Sequence, residues 1–115
     1  MHYHFTQYAD YRLLDMSGNI VARGHKQAFC LVDLWKPPGL GGDANPQFTN
    51  CGFQGISAGW ADVYDRSLDC QWIDITGIPA GSYVLSVVVD SEHLLPESNY
   101  ANNEARVAVT IPATP

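Results

Sequence analysis

The opening tetrapeptide, Met1-His2-Tyr3-His4, has the residue spacing of a metal site. Side chains alternate between the two faces of an extended strand, so His2 and His4 would point the same way, about 6.6 Å apart at the backbone. Two neutral imidazoles on one face can share a copper, zinc, nickel or iron ion. A catalytic copper site needs a third strong ligand, so we expect that the front part of the chain is missing and contained it.

Composition sets the class of protein and of partner. The 115 residues suffice for one domain, and twelve acidic against six basic residues give a formal charge of -6. This charge disfavours nucleic acids and anionic membranes and favours cationic partners such as amines. No apolar run approaches the roughly 18 residues of a membrane span, and the first residues lack the features of a signal peptide.

Alternating apolar residues predict strands. In residues 104–111 the side chains predicted to face a core are Ala105, Val107, Val109 and Ile111. Residues 82–89 are apolar on both faces, which predicts a central strand. Residues 2–14 form a third candidate strand, with a bulge near Gln7. Short strands separated by turns rich in Gly, Pro and Asn, such as Ser17-Gly18-Asn19 after Leu14, predict an all-β fold, an antiparallel β-sandwich with long irregular loops.

The longest of those loops is expected over residues 36–59, which are rich in Gly and Pro. A loop of this length inside a compact domain is usually functional. The three cysteines, Cys30, Cys51 and Cys70, are an odd number, which predicts one disulfide and one unpaired thiol. They do not form the paired C-x-x-C elements of a structural zinc site.

Several sequence blocks occur together in a specific order. They are His2-Tyr3-His4, the G-H-K-x-x-F-C-L run at 24–31, Asp62-Val63-Tyr64, the D-C-Q-W-I-D-I run at 69–75 and the P-E-S-x-Y-x-N-N run at 96–103. In order and spacing these blocks resemble the catalytic domain of the lysyl oxidase family. The resemblance implies one domain, residues 1–115, whose front part is missing.

The resemblance implies two cofactors. In that family three histidines of an H-x-H-x-H stretch hold copper, and His2 and His4 match the second and third of them. An organic cofactor, lysine tyrosylquinone, is made from the enzyme's own lysine and tyrosine, which match Lys26 and Tyr64. A competing tyrosine, Tyr100, lies in the 96–103 block, which the family uses differently.

The implied activity is that of a copper-dependent amine oxidase. Such an enzyme uses dioxygen to convert primary amines, either peptidyl lysine or small amines, to aldehydes, with release of ammonia and hydrogen peroxide. Catalysis requires a side-chain base. Asp62 and His25 are both candidates, and their spacing alone does not separate them. Asp62 lies two residues before Tyr64, and so on the same face if this stretch is extended, whereas His25 lies beside Lys26.

The resemblance also implies a possible calcium site in the 96–103 block. Its ligands would be Glu97, Asn99, Asn102 and Asn103. Asn99 stands where the family usually has an aspartate, and the loss of that negative charge is expected to weaken calcium binding. The same loop could also be held without an ion, by hydrogen bonds from side chains to the backbone.

In the family, cysteines that match Cys30 and Cys51 form a disulfide, and the partner of Cys70 would lie before Met1. The full-length protein is therefore expected to be secreted or extracellular, although this chain shows no signal peptide. Its compact length and few cysteines are more similar to a prokaryotic member than to an animal one.

A second function class stays open. The chain could be a non-catalytic β-sandwich binding module, or an inactive remnant of such an enzyme, that keeps the blocks without a competent metal site. Without the motif context, Lys26 would be a surface charge and Tyr64 a packing residue. Trp60 and Trp72 are expected in the core. The two classes differ in one covalent bond, because only the enzyme or its copper-matured form links Lys26 to Tyr64.

Overall fold

A computed structural model describes residues 8–24, 30–68 and 71–114 of the chain. These residues form two compact units. Residues 30–68 make up one, the loop unit, and residues 8–24 with 71–114 make up the other, the sheet unit. All regular elements in these ranges are strands. Within the same ranges, no helix has the length and apolar character needed to cross a bilayer.

The sheet unit contains one four-stranded antiparallel sheet. Its strands are β1 (Ala9–Leu14), β2 (Ile20–Arg23), β3 (Gly81–Val89) and β4 (Glu104–Ile111), in the spatial order β2-β1-β3-β4. The prediction that residues 82–89 form a central strand is confirmed, since β3 pairs with β1 on one side and β4 on the other. The sequence analysis did not predict β2, because four residues are too few for alternation to be distinguished from chance.

A tight turn joins β1 to β2. The Asp15 carboxylate accepts hydrogen bonds from the backbone N–H groups of Ser17 and Asn19, both at 2.9 Å. The bond from Asn19 is the main reason that the pKa of Asp15 is lowered. Gly18 adopts φ +87°, a left-handed conformation that costs glycine little. These contacts make the turn that Ser17-Gly18-Asn19 predicted.

One face of the sheet is apolar. The register places Leu13 of β1 opposite Leu85 of β3, which in turn lies opposite Val107 of β4. Leu13 is buried, whereas Val107 is 55% exposed and Ala105 is exposed as well. The prediction that Ala105 and Val107 face a core was therefore wrong about their burial. β4 is an edge strand, paired with β3 on one side only, and most of its side chains are exposed.

The other face carries charged side chains beside apolar ones such as Leu14 and Val84. Ser86 of β3 is fully buried and donates a 2.6 Å hydrogen bond to Glu104, which also pairs with Arg106 at 2.7 Å. In β1, the buried Asp10 carboxylate pairs with Arg12 and Arg23 at 3.1 and 3.0 Å. A buried carboxylate needs such partners, because desolvation of an unpaired charge is costly.

The loop unit is organised around one carboxylate. Asp33 is 7% exposed. Its oxygens accept hydrogen bonds from the hydroxyl and N–H of Ser57, at 2.6 and 2.8 Å, and from the N–H groups of Gln47 and Phe48, at 2.9 and 3.2 Å. Burial alone would raise the pKa of Asp33, but these donors outweigh it and lower the pKa to about 2.

A second group of hydrogen bonds holds the glycine-rich part of the loop unit together. The Lys36 ammonium donates to the carbonyls of Gly41 and Asp43 at 2.7 and 2.9 Å, and the Trp60 indole donates to the same Asp43 carbonyl at 2.9 Å. Gly59, with φ +80°, packs so closely that a Cβ there would lie 1.9 Å from the Gly41 oxygen. Residues 36–59 thus form an ordered irregular loop, as predicted.

The all-β prediction is confirmed for the described residues, as is the antiparallel pairing. A sandwich requires a second sheet packed on the first, and the structure describes one sheet. The sandwich stays a prediction, and so does the assignment of residues 1–115 to a single domain.

We expect the substitution Asp33→Asn to destabilise the loop unit, because the amide presents a donor where the carboxylate accepts several hydrogen bonds. The depressed pKa of Asp33 makes its contribution complete above the unfolded pKa, near 4, and removes it as the pH falls towards about 2. Urea unfolding at several pH values measures this loss. The variant should lack that pH dependence between about 4 and 2, and Asp43→Asn should keep it; a wild-type midpoint for Asp33→Asn would contradict the assignment.

Candidate functional site

Two of the predicted catalytic residues, Asp62 and Tyr64, lie together in the loop unit. The Tyr64 hydroxyl donates a 2.8 Å hydrogen bond to Asp62 Oδ2. The i, i+2 spacing predicted that the two side chains share a face, and this contact confirms it. Both residues are half-buried, which leaves the phenol ring reachable while its oxygen is fixed.

The Asp62 carboxylate is only partly satisfied. Oδ2 also accepts from the Val32 N–H at 3.4 Å, but Oδ1 is buried without a hydrogen-bond partner among the described residues. Desolvation raises the pKa of Asp62, the bonds from Tyr64 and Val32 oppose that rise, and the nearby negative charge of Asp33 adds to it. A buried carboxylate with an open lone pair and a raised pKa has the properties of a general base.

The end of the G-H-K block and the residue that follows it, residues 30–32, contact this pair. The Tyr64 hydroxyl lies 3.4 Å from the Cys30 carbonyl oxygen, the second acceptor within its reach. Cys30 is disulfide-bonded to Cys51, with 5.3 Å between their Cα atoms. This confirms the predicted Cys30–Cys51 disulfide. The sequence analysis missed the backbone groups of residues 30–32, because a backbone contact requires no particular side chain.

Several predicted site residues lie outside the described ranges. They are His2, His4, His25, Lys26 and Cys70. The copper ligands, the choice of His25 as base, the link from Lys26 to Tyr64 and the state of Cys70 therefore stay predictions. The role of Tyr64 in the quinone likewise stays a prediction.

Two motif blocks meet in the sheet unit. Gly24, which opens the G-H-K block, pairs with Ile73 of the D-C-Q-W-I-D-I block and donates its N–H to the Tyr11 carbonyl at 2.8 Å. A Cβ at position 24 would lie 2.9 Å from the Tyr11 Cβ, so glycine is required there. Trp72, in the same block, was predicted in the core, and this prediction was wrong, because its side chain is 54% exposed. Side chains alternate along this stretch, and the neighbouring Ile73 is the one that points inward.

The competing tyrosine, Tyr100, has a structural role in the loop between β3 and β4. Its hydroxyl donates to the Leu95 carbonyl at 2.7 Å and accepts from the Glu97 N–H at 3.2 Å. Its ring stacks against His93, with 4.3 Å between the ring centroids. These contacts hold a turn of the loop, and the choice between Tyr64 and Tyr100 as the cofactor tyrosine stays a prediction.

The same loop contains the predicted calcium ligands. Asn103 Nδ2 donates to Glu97 Oε1 at 3.0 Å, and Asn99 Oδ1 accepts from the Ala101 N–H at 2.8 Å. Asn102 is exposed. Across residues 8–24, 30–68 and 71–114, no group of three or more carboxylate, histidine or cysteine side chains could hold a metal ion. The loop thus forms internal hydrogen bonds with three of the predicted ligand side chains, Glu97, Asn99 and Asn103, and the calcium site stays a prediction.

Asp90 was missed by the sequence analysis. It is fully buried, has φ +47°, and its carboxylate accepts from the N–H groups of Leu94 and Leu95 at 2.8 and 3.1 Å. Burial would raise its pKa, but the bond from Leu94 and the contact with the Glu97 side chain lower it. An aspartate directly after a strand is a common turn former, which is the signal that could have identified it. Its role is to fix the loop that ends β3.

Comparison with known proteins gives a consistent assignment. The family model for lysyl oxidase matches residues 1–114. Lysyl oxidase homolog 2 of Gallus gallus is 43% identical over 105 residues, and that of Homo sapiens is 42% identical over 103. Lysyl oxidase homolog 4 of Homo sapiens is 40% identical over 103 residues. Each alignment covers 89% of this chain but 13% of the relative, so the chain spans a small part of those proteins. The match covers the motif blocks and the Asp62–Tyr64 pair, and it shows that the chain belongs to the lysyl oxidase family.

Proposed function

We propose that the chain is the catalytic part of an amine oxidase of the lysyl oxidase type. The reaction converts a primary amine, dioxygen and water into an aldehyde, ammonia and hydrogen peroxide. The observation that carries this proposal is the Asp62–Tyr64 pair, in which a fixed phenol lies beside a buried carboxylate oxygen without a described partner. Membership of the lysyl oxidase family supports a catalytic role for this pair.

The cofactors belong to the same proposal. Tyr64 and Lys26 are the residues from which the quinone would be made, and His2 and His4 with one further ligand would hold copper. The quinone supplies the electron sink for amine oxidation, so the protein has to orient the amine and provide a base. Donors of copper-binding type are present at the expected positions of the sequence.

Asp62 is the base in this proposal. Its Oδ2 holds the Tyr64 hydroxyl, and its Oδ1, which has no hydrogen-bond partner among the described residues, would take the proton from the carbon next to the substrate nitrogen. Desolvation makes the carboxylate a stronger base than a solvated aspartate, which suits proton abstraction from carbon. His25, the other candidate, has no described position with which to compare.

Substrate class and compartment follow from charge and redox chemistry. A formal charge of -6 favours a cationic substrate, which fits peptidyl lysine and small amines alike. The Cys30–Cys51 disulfide fits an oxidising compartment, so we propose that the protein acts outside the cell.

The covalent link between Lys26 and Tyr64 tests the proposal directly. After incubation with copper and dioxygen, peptide mass mapping should find these two residues in one crosslinked species, and quinone redox staining should become positive. Tyr64→Phe should abolish the crosslink because the phenol is lost, while Tyr100→Phe should retain it. If the Tyr64 peptide stays uncrosslinked in the copper-treated wild type, the binding-module alternative is correct.

The pH dependence of amine oxidation tests the role of Asp62. A base must be ionised to act, so the rate should fall as the pH drops through a pKa above the ordinary aspartate range near 4. Asp62→Asn, assayed on protein that already contains the crosslink, should lower kcat at least about 100-fold, and Asp62→Glu should recover part of it.

Asp65→Asn is the matched control for that measurement, because Asp65 is exposed and bonds to Ser67 rather than to Tyr64. Its pH–rate profile should match the wild type. A wild-type kcat for Asp62→Asn would transfer the role of base to His25.

A further inference from the structure

Gln54 and Tyr64 both contact the peptide bond between Cys30 and Leu31. The Leu31 N–H donates to Gln54 Oε1 at 3.1 Å, and the Cys30 carbonyl oxygen lies 3.4 Å from the Tyr64 hydroxyl, as the weaker of two acceptors for its single proton. This N–H and this carbonyl belong to the same planar unit, in which they point in opposite directions. Gln54 and Tyr64 therefore bond to opposite edges of one peptide plane.

The next peptide bond repeats the arrangement. The Leu31 carbonyl accepts from the Gly55 N–H at 3.0 Å, and the Val32 N–H donates to Asp62 Oδ2 at 3.4 Å. Two successive peptide planes thus join residues 54–55, on one side, to the Asp62–Tyr64 pair on the other. The Leu31 side chain between them is buried, which limits sideways movement of the segment.

Gln54 is itself fixed at both ends of its amide. While Oε1 accepts from Leu31, Nε2 donates to the Cys51 carbonyl at 3.0 Å, next to the disulfide that holds Cys30. A rotation of the Cys30–Leu31 peptide plane would break the bond to Gln54 and turn the carbonyl away from the phenol. Because hydrogen bonds in a chain polarise one another, loss of the first also weakens the last.

We propose that Gln54 is a positioning residue, which fixes the Cys30–Leu31 peptide plane and through it the orientation of the Tyr64 phenol. The importance of this orientation rests on the proposed function, in which Tyr64 must face Lys26 for the crosslink to form. In this role Gln54 acts on Tyr64 through the peptide plane and not by direct contact with the phenol oxygen. In the sequence, Gln54 is a polar residue in a glycine-rich loop, three residues after Cys51. This position does not predict the role of Gln54 unless its contacts are known.

The test combines a spectroscopic and a chemical measurement on the full chain. The resonance of the Tyr64 ring carbon that bears the hydroxyl is recorded with labelled tyrosine before copper is added, and the rate of Lys26–Tyr64 crosslinking is measured after addition of copper and dioxygen. Gln54→Met, which keeps the length but has no amide, should move the resonance and slow crosslinking at least tenfold. Gln54→Glu, which keeps an acceptor for the Leu31 N–H, should restore part of both.

Gln47→Met is the matched control, because the Gln47 side chain bonds to the exposed carboxylate side of Asp43 and not to residues 30–32. It should leave the resonance and the rate at their wild-type values. If Gln54→Met fails to fold, Gln54→Ala, which also lacks an acceptor for the Leu31 N–H, takes its place. A wild-type resonance and an unchanged crosslinking rate in either folded variant would overturn the proposal.

The outcomes separate this inference from the proposed function. Absence of any crosslink in the wild type, with a Tyr64 resonance that still responds to Gln54→Met, would overturn the oxidase and keep the positioning contact. Crosslinking at the wild-type rate in Gln54→Met would overturn the positioning role and keep the oxidase.

Discussion

The cost of burying a carboxylate governs both units of this protein. Each buried aspartate either collects enough donors to stay charged or has its pKa raised. Asp33 collects four hydrogen bonds and becomes the centre of the loop unit. In the sheet unit Asp10 is paired with two arginines, and Asp90 with two backbone N–H groups that fix the loop after β3.

Asp62 is the exception, and the exception is where the chemistry is proposed. It lies in the same unit as Asp33, but one of its oxygens is buried without a described partner, and its pKa is raised where that of Asp33 is lowered. Asp33, whose carboxylate oxygens both accept hydrogen bonds, holds the irregular loop in place. Asp62, with one oxygen that lacks a described partner, can then face Tyr64. A stable scaffold and a reactive group thus arise from the same residue type through different numbers of donors.

The sequence predicted the features that depend on local alternation or on motif identity. β3 and β4 follow from apolar periodicity, the β1–β2 turn from Ser17-Gly18-Asn19, and the Cys30–Cys51 disulfide from the family resemblance. The errors concern burial. Alternation assigns Val107 to the apolar face correctly, but it carries no information about whether another layer covers that face, and β4 lies at an edge.

The sequence by itself determined the family, the strand-forming segments and the pairing of Asp62 with Tyr64 on one face, because these depend on residue identity and on spacings of two residues. Only the tertiary structure decided that residues 30–32 lie between Gln54 and that pair. It also decided that both carboxylate oxygens of Asp33 accept hydrogen bonds, while one oxygen of Asp62 has no described partner. Those contacts span about 20 to 30 positions and use backbone groups that every residue possesses, so the physical reason is that loop closure, and not side-chain identity, brings them together.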